Sequence, residues 1–154
     1  MESAKNKPYL KLLLMVVFSF ISMYILMFAM VDVFANVYPS RNHFYMAAVM
    51  TAPMVIIELI LMSKMYPSKK RNIVIIAFST VALIGFFMMI RNQTAIGNEQ
   101  FLRSMIPHHA GAILMCKESS FDDPEIKKLC EKISAGQQEE IDQMKAILQR
   151  LEHK

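Results

Sequence analysis

Apolar and polar positions follow two different rhythms along this chain. Through residue 90 long apolar runs are broken by short polar ones; beyond it, apolar residues recur in steps of three and four. The first run, residues 12–37, has one charge, Asp32, near its far end. The second, 44–62, has Glu58 and Pro53, and the third, 73–90, has no charge. A bilayer span needs about 17–25 mostly apolar residues, and each run is long enough. Backbone polar groups in lipid must be satisfied within the segment, so the runs predict three transmembrane helices behind a short N-terminal flank, residues 1–11.

The rhythm of residues 95–151 predicts a helical hairpin. Phe101, Leu102, Met105, His109, Ala112 and Cys116 form one stripe, with Asn98 placed to cap the helix that carries them. Pro107 falls inside it, where proline removes a backbone bond and bends the helix beside two histidines. Residues Ser119 to Asp123 read as a turn, Asp122 or Asp123 as the next cap, Pro124 as the first helical position, and Glu125 as the partner in a capping box. The second stripe is Ile126, Leu129, Ile133, Gln137, Glu140, Met144, Ile147 and Leu151. Folding at about Asp122 brings Cys116 to Cys130, His108 and His109 to Gln137 and Glu140, and Met105 to Ile141 and Met144. The polar interruptions of both stripes thus fall at one level, where burial costs free energy unless they pair or bind something.

Composition supports the division. Of 154 residues, 55% are hydrophobic and 19% charged, against about 45–50% and about 25% in soluble domains. This excludes a disordered tail, a collagen-like fibre and a disulfide-dense miniprotein. Residues 1–90 carry a net charge of +5 and residues 91–154 one of −1. Basic charge therefore flanks the apolar runs, which implies a lipid bilayer as partner and no nucleic acid. By the positive-inside rule, Lys5, Lys7 and Lys11, with Lys64, Lys69, Lys70 and Arg71 of the second connection, lie in the cytoplasm. Residues 91–154 then lie on the other side, and Tyr9, Tyr38, Tyr45 and Tyr66 fall at the interfaces. Val33-Phe34-Ala35 resembles a signal-peptide cleavage site, but the run before it far exceeds a signal core of about 7–15 residues, so an uncleaved anchor is expected. Glu58, an acid within a span, is expected to face the bundle interior, to pair with Lys64 or the first helix, or to snorkel outward.

The run Phe101-Leu102-Arg103-Ser104-Met105-Ile106-Pro107-His108-His109-Ala110-Gly111-Ala112-Ile113, followed by Asp123-Pro124-Glu125-Ile126, Gln137, Glu140-Ile141 and Met144, resembles the bacterial domain-of-unknown-function family 305. The three-run front with Asn36-Val37-Tyr38-Pro39 resembles its membrane-anchored branch. The resemblance implies an all-α protein: three transmembrane helices in a bacterial inner membrane, then a ferritin-like helical hairpin outside the cytoplasm. It also implies a link to copper, with Met105, His108, His109 and Met144 as candidate ligands and Glu140, Gln137 and Met115 as weaker or supporting groups. Ala110 stands where many relatives carry glutamine after the two histidines.

Thioethers with imidazole favour Cu(I), so one expected function is copper storage, sequestration or hand-off. Adjacent histidines point about 100° apart on a helix, so one ligates while the other faces elsewhere, unless the Pro107 bend brings both round. The plainer alternative is a buried histidine bonded to Glu140 or Gln137, in a module that serves as an interaction surface. Cys116 and Cys130 admit a disulfide, reduced core thiols or thiolate ligands. Twelve of the 15 methionines lie in residues 1–90, where apolar packing explains them, though stripes such as Met23, Met27 and Met30 also suit a thioether path. No Glu-x-x-His, His-Glu-x-x-His, phosphate-binding loop or Gly-x-Ser-x-Gly occurs, and an enzyme is not expected. Two helices bury little core, so the hairpin is expected to dock on a second copy as a homodimer.

Overall fold

A computed structural model describes residues 2–153, with side chains from residue 6 onward. Among the described residues every regular element is helical. The α-helices are α1 (Glu2–Leu26), α2 (Arg41–Leu61), α3 (Lys69–Arg91), α4 (Asn98–Glu118) and α5 (Pro124–Glu152), with 3-10 turns at Phe34–Asn36 and Ser63–Met65. The chain divides into two compact units: Met1–Leu26 with His43–Thr94, and Met27–Asn42 with Ala95–Lys154.

In the first unit, Asn6–Leu26, Arg41–Leu61 and Lys69–Arg91 are long and apolar enough to cross a membrane. Helix α2 is the most buried of the three. Its inward face is Ala47, Thr51, Ala52, Val55 and Leu59, a helical spacing whose small members let neighbouring backbones approach. The Thr51 hydroxyl donates to the Ala47 carbonyl at 2.8 Å, so it needs no outside partner. Phe44 of α2 makes edge contacts with Phe20 of α1 and Phe86 of α3, with centroids 5.1 and 6.1 Å apart. Leu12, Val55, Leu59 and Tyr66 are buried together. Glu58 has a specific partner: the Tyr66 hydroxyl donates to its Oε1 at 3.0 Å, so neither Lys64 nor the first helix is required.

The first apolar run is divided between the units. Its α-helix ends at Leu26, short of the expected residue 37, and residues 27–42 belong with the C-terminal helices. Hydropathy measures apolarity and cannot distinguish lipid from protein as the burying medium. Here the Asn36 amide donates to Asp32 Oδ1 at 2.7 Å within a non-α-helical segment. Val31 and Tyr38 pack on the core of the second unit. The other two spans begin earlier than expected, at Arg41 and Lys69 rather than at residues 44 and 73. Ser68 accepts from the Arg71 amide and so caps α3 ahead of its basic first turn.

The second unit is built on α4 and α5. Leu102, Ile106 and Ala110 of α4 are buried with Ile141, Met144 and Leu148 of α5. Helix α4 runs unbroken through the buried Pro107. It begins at Asn98 after Gly97, which offers no side-chain cap, so the expected Asn98 cap is displaced by one position. Asp123 caps α5, its Oδ1 accepting from the Glu125 and Ile126 amides at 2.7 and 3.1 Å, and Pro124 follows as the first helical residue. Segment 27–42 closes on α4: the Met30 carbonyl lies 3.5 Å from where a Cβ on Gly111 would stand.

Candidate functional site

Three cross-links set the register of α4 against α5. Cys116 and Cys130 form a disulfide with Cα atoms 5.3 Å apart. Further from the turn, His109 meets Glu140, and at the far end Arg103 pairs with Glu152. Partners rise on one helix as they fall on the other, so the two run antiparallel. Of the three states open to the cysteines, the disulfide is the one formed.

His109 occupies the middle of this ladder and is 8% exposed. Its Nδ1 lies 2.9 Å from the Met105 carbonyl oxygen, one helical turn back. A carbonyl only accepts, so Nδ1 carries the proton and donates. The other nitrogen, Nε2, faces Glu140 Oε2 at 2.7 Å. Glu140 is itself well exposed, so the pair joins a buried imidazole to solvent. A histidine anchored through Nδ1 to a backbone carbonyl, with Nε2 presented outward, has the orientation that metal-ligating histidines commonly take.

Met105 and His109 are four residues apart on α4, as are Glu140 and Met144 on α5, so each pair shares a helix face. Met144 is buried in the core, and Met105 is half-buried and packed against it. His108 is placed differently: its side chain is exposed, and its ring centroid lies 6.0 Å from that of His109, with the planes at 63°. Gln137 is half-buried one turn before Ile141. Met115 is 52% exposed, near the turn and away from the His109 level.

Among the described residues, no three His, Cys, Asp or Glu side chains converge as a metal cage would require. Within one helical turn of the His109–Glu140 pair along α4 and α5 stand two thioether residues, Met105 and Met144. Hard divalent ions want more oxygen than this, whereas a nitrogen with two sulfurs suits a soft monovalent ion such as Cu(I). The residue types therefore fit copper in its reduced form.

Sequence spacing located this level but ranked its members differently. Glu140 is the direct partner of His109, as one of the two partners the plainer alternative offered, whereas the copper reading gave it a supporting place. Residues 31–38, which help enclose the core, carried no helical stripe to reveal them. Gln100 was also missed: its Oε1 accepts from the Arg41 amide at 2.8 Å, while the Arg41 guanidinium donates to the Ala95 carbonyl at 2.7 Å. Local sequence gives no signal for such a cross-chain cap.

Comparison with known proteins bears on both units. Residues 90–154 match the family described as Domain of unknown function (DUF305). An uncharacterized protein of Acanthamoeba polyphaga mimivirus is 35% identical over 143 residues, covering 89% of this chain and 90% of the relative. That alignment is too long to be confined to the C-terminal unit, so the likeness extends into the apolar helices. No solved structure matches. With a match at its C-terminal unit and similarity running through about nine-tenths of both chains, this protein belongs to the DUF305 family.

Proposed function

We propose that this is a three-span membrane protein whose C-terminal unit binds Cu(I) on the side of the membrane away from the cytoplasm, for storage, sequestration or hand-off. The observation that carries the reading is His109. It is pinned through Nδ1 to the Met105 carbonyl, with Nε2 turned to Glu140, and Met105 and Met144 pack in the core one turn along the same two helices. In this reading His109 Nε2 and the two thioethers would hold the ion. Glu140, a hard donor, holds the imidazole ready when no ion is bound. His108, on the exposed face, is an entry ligand.

Two further observations support the topology. The cations of the N-terminus and the second connection favour the cytoplasmic side. The Cys116–Cys130 disulfide suits an oxidising compartment. A bacterial inner membrane and a ferritin-like assembly are the setting the family resemblance implies. Met115, Ile126 and Leu129 are exposed apolar residues near the turn, and they offer a surface for a second copy.

Anaerobic titration of the full chain in detergent, with Cu(I) and a competing chelator, tests the reading. Met105→Leu with Met144→Leu preserves volume and costs less than about 1.5 kcal/mol per site, so the fold should survive. Cu(I) uptake should then fall together with that of His109→Ala. Uptake by the double variant equal to that of the parent refutes the site.

A second reading is favoured by the bond between His109 Nε2 and Glu140 Oε2 at 2.7 Å, which gives the imidazole a protein partner on both nitrogens. There the His109–Glu140 pair only ties α4 to α5, and the unit serves as a docking surface for a protein partner. Under that reading the parent itself takes up no Cu(I) in the titration.

A further inference from the structure

One end of the three-helix unit gathers positive charge from separate parts of the chain. Lys7 and Lys11 come from α1, Lys64 from the 3-10 turn, and Lys69, Lys70 and Arg71 from the first turn of α3. All six are exposed. Hydrogen bonds between elements hold them together. The Tyr9 hydroxyl donates to Asn72 Oδ1 at 2.8 Å and accepts from the Ser68 amide at 3.1 Å. The Arg71 guanidinium donates to Asn6 Oδ1 at 2.7 Å and lies 5.6 Å from the centre of the Tyr9 ring. Tyr9 in turn packs against the buried Tyr66 at 5.5 Å. The start of α1 and the start of α3 are thereby fixed side by side over an aromatic floor.

Nothing among the described residues of the unit offsets this charge. Among the described residues no carboxylate is paired with any of the six, and Glu58 is engaged by Tyr66. Like charges repel, and three successive cations in the first turn of α3 also oppose the helix macrodipole. At the other end the three helices carry two basic residues, Arg41 at the start of α2 and Arg91 at the end of α3. The occupant that relieves the repulsion is anionic. Leu10, Leu13 and Leu14, beside Lys7 and Lys11, are 58%, 58% and 47% exposed, so apolar surface adjoins the cations.

We propose that this end of the three-helix unit binds the phosphate groups of anionic phospholipids, with their acyl chains lying along the exposed leucines of α1. The inference rests on the membrane reading above and adds a lipid preference to it.

The test uses the full chain. Native mass measurement in detergent should show phosphatidylglycerol retained over phosphatidylcholine when both are supplied equally. Replacing Lys69, Lys70 and Arg71 with glutamine should weaken that preference by about 10- to 100-fold, as expected for losing several cations at a charged surface. Arg71 also bonds Asn6, so a second variant guards against misfolding. Lys7→Gln with Lys11→Gln touches no hydrogen bond of the cluster and should lose part of the preference at unchanged helicity. Equal retention of both lipids by the parent, or unchanged preference in both variants, overturns the proposal. Inorganic phosphate competing as well as the lipid overturns the lipid source. Alkaline extraction of membranes separates the two levels of inference. Release of the protein by carbonate means the membrane reading has failed, whereas an embedded protein without lipid preference refutes this proposal alone.

Discussion

Gly111 tests the claim that residues 27–42 cover α4 rather than continue a transmembrane helix. A Cβ placed there would lie 3.5 Å from the Met30 carbonyl oxygen and 3.8 Å from the Met30 Cβ, which is ordinary contact. Gly111→Ala therefore meets no clash, and it gains up to about 1 kcal/mol of helix propensity. Gly111→Leu extends the side chain further toward Met30, and overpacking of this kind costs about 1–3 kcal/mol. Leucine gains nearly the same propensity over glycine as alanine does, so the two variants should differ by about 1–3 kcal/mol, far more than leucine and alanine differ in propensity. Gly136, with nothing within 4 Å of its added Cβ, is the open-site control, and its Ala and Leu variants should be nearly equal. Amide hydrogen exchange through α4 reads the difference as local opening free energy without needing a global transition in detergent. If Gly111→Leu protects α4 as well as Gly111→Ala does, Met30 does not lie there, and the division of the first apolar run is wrong.

Other expectations follow from the same contacts. Ile141→Ala removes a side chain with 0% exposure and should cost about 2–5 kcal/mol in denaturant titration of the C-terminal unit. Cys116→Ser with Cys130→Ser opens a link of sequence separation 14; it should lose about 3 kcal/mol in the chain-entropy model, and reductant should lower the parent to the same level in thermal scans. Burial, followed by the hydrogen bond and negative charge of Glu58, pushes the Tyr66 hydroxyl up to about 12. Because the folded value is raised, its stabilisation is complete below the ordinary tyrosine value of about 10 and is lost as pH rises from there through the folded value. Tyrosinate absorbance should report late ionisation in the parent, and Tyr66→Phe should abolish that component.

The legible part of the fold is the part governed by local rules. Asp123 and Pro124 start α5 where a cap and a first-turn proline belong, and the stripes of α4 and α5 meet in the core as their spacing requires. Failures came where one local signal has two physical meanings. The apolar stretch from Met27 to Val37 is consistent with a span by composition, yet part of it covers protein. Composition records the need for burial without naming the medium. Glu58 shows the converse: its charge announced a partner, but Tyr66 lies eight positions on, across a helix end, where no periodicity points. The expectation that two helices hold too little core assumed that nothing else joined them. Val31 and Tyr38 also pack against that core, which the spacing of the two helices did not reveal.

The level of the candidate site could be read because an antiparallel pair has a simple register. Once the turn is located, comparable distances from it meet: Cys116 and Cys130 each stand seven positions from Asp123, and His109 and Glu140 stand 14 and 17 positions away, within one helical turn of equality. The choice between His108 and His109 could not be made this way. The two differ by about 100° of helix rotation, and that angle decides whether a ring points into the pair or out of it. The apolar stripe carries the answer: His109 stands four residues after Met105 and seven after the buried Leu102, whereas His108 stands outside that series. Burial then orders the chemistry. An imidazole at 8% exposure with Nδ1 bonded to a main-chain carbonyl cannot turn freely, so any ligand of this site must approach Nε2 and displace or join Glu140. Glu140→Ala therefore separates the two functional readings. If His109 and the thioethers bind Cu(I), removing the carboxylate leaves Nε2 unpaired and should preserve or strengthen uptake, at the cost of one partly exposed hydrogen bond worth about 1 kcal/mol of stability. If the pair is only a tie between helices, the variant should lose that stability and gain no affinity for Cu(I). Weaker Cu(I) binding by Glu140→Ala, with the fold intact, would instead make the carboxylate a ligand and refute a site of one nitrogen and two sulfurs.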